Sequence, residues 1–309
     1  MSLSKDDFAQ PVKSLLGGYL FCHFVGNGEG EERIHFALSR DGYNFRPVNG
    51  NKPVIIQKKG KKCVRDPYIL KGQDGFYYII GTDMKCAEGW TSNHALVTWK
   101  SADLVDWTDE TIIDMRDLGG AFANTTRAWA PQAIWDEKTG RYMVYWANST
   151  VENDIAAMYF AYTDDFKSIT MPELLYERKG IQTIDGDIAY KDGWYYLYFK
   201  HDEDQTIAYV KSRNVNGPYE DSPVVVSLSE HGVEGSSVYR ITGTDSYIML
   251  MDEYGTGNFF MQITEDLENF RAVDPEKYSF DGVRPRHGSV IAITDEEYDR
   301  IAAAYGVAD

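Results

Sequence analysis

Four places in the chain set an ionisable side chain at the opening of a β-rich run. They are Asp66 in Val64-Arg65-Asp66-Pro67-Tyr68, Asp185 with Asp187 in Thr183-Ile184-Asp185-Gly186-Asp187, Glu234 in Val233-Glu234-Gly235, and His287 in Arg286-His287-Gly288-Ser289. Carboxylates gathered at one spot can divide acid–base work. An ionised one takes a proton from water, a protonated one delivers a proton to a leaving oxygen, and a third keeps the donor's pKa up by like-charge proximity. With aromatic faces nearby, that set suits cleavage of a glycosidic bond. Taken singly, an Asp-Pro or Asp-Gly reads as a turn. Three acids in matching register of three repeats is more than solubility requires. The chain has no Gly-rich phosphate loop with Lys, no Gly-x-Ser-x-Gly, no His-Glu-x-x-His and no paired Cys-x-x-Cys, which leaves phosphoryl transfer, serine hydrolysis and zinc chemistry without support.

The elements that would position these residues repeat. Five runs, at 18–24, 75–80, 140–146, 193–199 and 245–251, share a turn residue followed by an aromatic β-rich stretch, recurring about every 50 to 65 residues. Each is followed by a second strand ending in a Ser/Thr-x-Asp/Asn corner, as in Ser39-Arg40-Asp41 and Thr264-Glu265-Asp266. Such side chains bond their own backbone at turns, and Phe45, Trp107 and Phe270 stand four residues on, placed to pin the corner to the core. A third element, carrying the acids, precedes the aromatic run in four copies (66–70, 130–134, 185–189 and 234–238) and stands alone at 287–291. The first copy lacks it and the chain end supplies it, which is the offset a closed ring needs to lose its open edge. The reading is an all-β, five-bladed β-propeller, one domain over 1–309, closed by pairing 287–293 with 19–25. Thr294-Asp295-Glu296-Glu297 is a capping box predicting a short helix over about 295–306, with Tyr298, Ile301 and Tyr305 on one face. In this fold the strands bearing the acids line the central channel and run the same way, so Asp66, Asp185, Glu234 and His287 gather at one mouth.

The bulk composition narrows the partners. A formal charge of -17 on 309 residues, from 31 basic against 48 acidic side chains, repels phosphate backbones and anionic lipid surfaces, so neither nucleic acid nor membrane is expected. No apolar run approaches the roughly 20 residues of a membrane helix. Aromatics at 14%, with 22 Tyr, supply flat faces for sugar rings. Three cysteines, an odd number, predict reduced thiols and a cytoplasmic setting.

From Gly18 to about Thr294 the chain resembles glycoside hydrolase family 43, five-bladed propellers that act on arabinosides, xylosides and some galactosides. The resemblance implies Asp66 as general base, Asp185 as the residue tuning and orienting the acid, and Glu234 as general acid. It further implies Trp129-Ala130-Pro131 as part of the sugar pocket and His287 over the channel, where some members hold a hydrated calcium. Asp187 competes with Asp185, having the same strand parity. Gln132 stands where an Asp or Glu commonly follows Trp-Ala-Pro, and Ser236 where Pro is frequent. Arg65 and Arg286 flank the motifs, one to bond sugar hydroxyls and the other to neutralise the acids. The expected activity is inverting hydrolysis of arabinofuranosyl, xylosyl or galactofuranosyl linkages in oligosaccharides, with no required cofactor and an oligomeric state that composition leaves open. Three alternatives stand beside it: a fructoside-cleaving propeller, a sialoside-cleaving one suggested by Ser39-Arg40-Asp41-Gly42, and a non-catalytic glycan-binding propeller.

Overall fold

The computed structural model describes residues 17–307. Among them are five four-stranded antiparallel sheets. Each aromatic run forms the second strand of a sheet: Gly18–His23, Tyr77–Asp83, Arg141–Thr150, Trp194–His201 and Tyr247–Glu253. The first strands are Val64–Lys71, Thr125–Asp136, Thr183–Lys191 and Glu234–Arg240, while Gly288–Ile293 takes that place beside Gly18–His23. Those five inner strands touch one another in a closed circle. We number the blades in chain order, so the first joins 18–47 to 288–293 and the others span 64–114, 125–176, 183–225 and 234–272. The first blade is made from both ends of the chain, with Leu20 opposite Ile291 and Cys22 opposite Ser289.

Aromatic second strands suit this arrangement because both of their faces are buried. The core is five apolar layers, each between adjacent blades; Tyr145, Phe199 and Leu197 fill the one between the third and fourth. The polar corners hold the layers at the rim. Ser101 Oγ accepts the Leu104 N–H, Asp103 Oδ1 accepts the Val105 N–H, and the pattern recurs at Thr163/Asp165 and Thr264/Asp266. The residue after each Asp is then left-handed and driven into the core, as Leu104, Phe166 and Leu267 are. These side chains, more than Trp107 and Phe270, which stay partly exposed, pin the corners; Phe45 is fully buried. The helix Asp295–Tyr305 carries its capping box at Thr294 and Glu297 and packs Tyr298, Ile301 and Tyr305 onto the layer between the first two blades. No helix among the described residues is long and apolar enough to cross a membrane.

Candidate active site

The inner strands do not run straight to the channel mouth. In four of them two residues bulge out of register: Asp66-Pro67, Ala130-Pro131, Asp185-Gly186 and Gly235-Ser236. The first of each pair is left-handed, with φ of 49°, 46°, 56° and 57°. Such bulges re-aim side chains, and Asp tolerates the left-handed region better than most residues. This corrects the expectation of three acids in equivalent positions. Asp66 and Asp185 are equivalent, but Glu234 stands one residue earlier and matches Arg65, Trp129 and Ile184. The bulge position of the fifth blade is Gly235, where a Cβ would lie 2.1 Å from His287 Cγ. The imidazole packs on that bare backbone.

Second strands complete the cluster. Thr82, Lys200 and Asp252 pair with Arg65, Ile184 and Glu234 respectively and so reach the same mouth. Thr82 Oγ1 donates to Asp66 Oδ2 at 2.7 Å, and His287 Nε2 lies 2.7 Å from Asp66 Oδ1. Burial alone would raise the Asp66 carboxyl, but the charge and hydrogen bond of His287, helped by Arg65 and Thr82, hold it down at about 2. Burial would likewise lower His287; Asp66 first, then Asp185 and Glu234, lift it to about 9. The pair is therefore carboxylate and imidazolium at neutral pH.

Glu234 has both oxygens occupied. Arg286 Nη2 reaches Oε1 at 2.6 Å and Lys200 Nζ reaches Oε2 at 3.0 Å. Arg286 is itself fixed by Asp252 Oδ2, 2.5 Å from Nε. Asp185 Oδ2 accepts the Gly235 N–H at 3.1 Å, which sets the two carboxyls side by side. Here the charges divide otherwise than the sequence suggests. Burial favours the neutral form of both, yet His287, Lys200 and Arg286 pull Glu234 below its ordinary value. Burial, with Glu234 and Asp66 as neighbours, pushes Asp185 up to about 6. In the free protein the proton of this pair sits on Asp185.

Above the cluster opens a pocket of about 420 Å³. Trp90 and Trp129 meet edge to face at 6.2 Å on one wall, with the Arg127 guanidinium 5.1 Å over the Trp129 ring. Lys200, Asp202 and Arg286 form part of the charged remainder of its lining.

A family model described as a probable glycosyl hydrolase domain, and named as related to glycoside hydrolase family 43, matches residues 15–299. The chain belongs to this family. A curated α-L-arabinofuranosidase from Bifidobacterium longum subsp. longum is 28% identical over 213 residues, 60% of this chain. The chain spans about one fifth of that relative's length, 20%. Among solved structures, an exo-1,5-α-L-arabinanase from a bovine ruminal metagenomic library superposes with a TM-score of 0.63 at 18% identity, covering 84% of this chain and 93% of the other. An α-L-arabinofuranosidase from Podospora anserina does so at 0.54 and 15%, covering 72% and 73%. These likenesses show a shared five-bladed fold.

In this family-43-related hydrolase the structure brings Asp66, Asp185, Glu234, His287, Arg65, Arg286 and Trp129 together around one pocket. Arg65 is buried beneath it, on Glu32 and Asn27, with its guanidinium 4.6 Å over the Phe24 ring. Gln132 lies deeper than expected: its Oε1 accepts from Tyr145 OH, whose oxygen accepts the Ile188 N–H, and it lines a separate cavity of about 20 Å³. The amide is part of the floor. Sequence reasoning missed Lys200, Asp252 and Thr82; the available signal was a polar residue closing an otherwise apolar second strand.

The calcium implied near His287 does not fit these donors. Atoms of Glu234, Asp252 and His287 lie within 4.8 Å of one another. Arg286 already bonds both carboxylates, and His287 Nε2 is given to Asp66. Calcium needs six to eight oxygen ligands, and here it would face a guanidinium and an imidazolium.

Asp187 is a latch. Its Oδ2 accepts the Val238 N–H of the next inner strand at 2.7 Å, as Ser237 Oγ does for Val290 and Ser289 Oγ for Ile69. Burial, opposed only by that bond, pushes its carboxyl up to about 7 from an ordinary 3.8. A carboxyl raised on folding weakens the fold as pH climbs from 3.8 towards 7. Asp187→Asn keeps the acceptor without the charge, so it is expected to melt above the parent at pH 8, by a gap that closes near pH 4, with turnover kept. Melting curves at the two pH values check this; an identical gap at both would reject the ionisable latch.

Proposed function

We propose that this hydrolase removes terminal α-L-arabinofuranosyl units from short oligosaccharides with inversion at the anomeric carbon. The observation that carries the proposal is the placement of Asp66 and Glu234 on opposite nitrogens of one imidazole. Asp66 is 2.7 Å from Nε2 and Glu234 Oε1 is 3.9 Å from Nδ1. With the ring between them the carboxyls stand at most about 9 Å apart, a span suited to the inverting separation, which leaves room for a water. Asp66, ionised throughout the neutral range, takes a proton from that water as its oxygen bonds the anomeric carbon. The bond from that carbon to the leaving oxygen breaks on the other side, where Glu234 delivers a proton. Asp185 is the reservoir of that proton, beside the Gly235 N–H. Trp90 and Trp129 offer the face against which the sugar ring rests, Trp90 being 49% exposed. The names of the arabinofuranosidase and arabinanase relatives support the choice of sugar.

A panel of 4-nitrophenyl α-L-arabinofuranoside, β-D-xyloside and β-D-galactofuranoside beside linear arabinan tests it, with proton NMR of the first-formed anomer. Fastest release from the arabinofuranoside and an inverted first product are expected. Preference for the xyloside or galactofuranoside would reassign the sugar, depolymerisation of long arabinan without terminal release would reject exo action, and a retained anomer would overturn inversion.

A further inference from the structure

Glu234 cannot hand over a proton while cations hold both of its oxygens, so one of them must withdraw. Arg286 is the poorer candidate. Its Nε bonds Asp252 Oδ2 at 2.5 Å, its backbone N–H donates to Phe24 O at 2.7 Å, and its planar guanidinium spans both carboxylates. Lys200 is a point charge on a flexible stem. Its Nζ sits 3.0 Å from Glu234 Oε2 and 3.5 Å from Asp202 Oδ1, with the Tyr254 ring 4.3 Å away. Asp202 is a second carboxylate on the same pocket, already within ion-pair range of the ammonium.

We infer that Lys200 is a positioning residue that clamps Oε2 of Glu234 in the free protein and passes to Asp202 when a sugar fills the pocket, leaving Oε2 to carry the proton. The inference rests on the proposed role of Glu234. Oε1 stays on Arg286, so the proton is confined to one oxygen and the carboxyl keeps its orientation. No covalent bond changes: one proton moves from Asp185 or solvent to Oε2 as the ammonium exchanges one carboxylate for another. The charged groups facing Glu234 are Lys200, Asp202 and Asp185 from the fourth blade, Asp252 and Tyr254 from its own, Arg286 and His287 from the closing segment, and Asp66 across the imidazole. Of these, Lys200 alone has a second carboxylate waiting on the pocket side.

The test reads Glu234 without turnover. Protein carrying ¹³C at the glutamate carboxyls is titrated by NMR, with the Glu234 signal assigned by its loss in Glu234→Gln. In the free protein the midpoint is expected below that of an ordinary glutamate. Lys200→Met should raise it by about one to two pH units, the effect of removing a close opposite charge, and Lys200→Arg should keep it low. Saturating L-arabinose should raise the midpoint in the parent and fail to do so in Asp202→Asn, where the ammonium has lost its second station. An unmoved midpoint in Lys200→Met would overturn the clamp, and an equal sugar response in parent and Asp202→Asn would overturn the transfer. Should Lys200→Met not fold, Asp202→Asn carries the test alone. Hydrolysis is not needed for these readouts. Failure of the acid role itself shows elsewhere, as undiminished cleavage of unactivated glycosides by Glu234→Gln.

Discussion

Asp66→Ala is expected to lose turnover by about 10³-fold on every glycoside, whatever its leaving group. Water must be activated in each catalytic cycle of an inverting reaction, and Asp66 is the carboxylate that stays ionised, held at about 2 chiefly by His287 against its burial. A good leaving group does nothing for a missing base. The fold should tolerate the change, because the bulge at this position is shared with Ala130 in the third blade, which has a φ of 46°. The check is kcat on 4-nitrophenyl α-L-arabinofuranoside and on an arabinobiose, with a melting curve alongside. Activity near that of the parent on either substrate would remove Asp66 as the base.

Glu234→Gln should separate substrates that Asp66→Ala does not. Cleavage of natural glycosides is expected to fall by about 10²- to 10⁴-fold, while a glycoside whose leaving group departs as an anion should be nearly spared. Gln is preferred to Ala because its carbonyl oxygen can still accept from Arg286, 2.6 Å from Oε1 in the parent. Ala would leave Lys200 and Arg286 facing each other across a buried gap, at a cost to stability of its own. Plotting kcat/KM against leaving-group pKa for parent and variant gives the readout. A steep dependence in the variant and a shallow one in the parent is expected; parallel lines would assign proton donation to another residue, Asp185 being next in place.

Much of the architecture is written locally in the chain. Aromatic runs bounded by turn residues become second strands because both of their faces are covered. Ser-x-Asp and Thr-x-Asp corners fold on their own backbone, and Thr294 with Glu297 caps its helix within four residues. The absence of a first strand from the first repeat, and its presence at the chain end, already implies the pairing of Gly18–His23 with Gly288–Ile293. Asp66, Asp185, Glu234 and His287 are legible for the same reason: each begins or adjoins an inner strand, and a propeller sends all of those starts to one mouth.

Period-two alternation, however, says which side a residue faces only while a strand is regular. Two-residue bulges at four channel mouths break that parity, so the sequence could not tell that Glu234 sits one step before the position of Asp66 and Asp185, or that Asp187 turns away to join the Val238 N–H. Nor could it assign protons. The partners that set them meet across blades: His287 finds Asp66 over 221 residues of chain, Lys200 finds Glu234 over 34, and Arg286 finds Asp252 over 34. Chain chemistry by itself determined the blades, the ring and the set of ionisable groups. Tertiary structure alone decided which carboxyl is charged, because in a buried site the nearest cation outweighs anything that neighbours in sequence can supply.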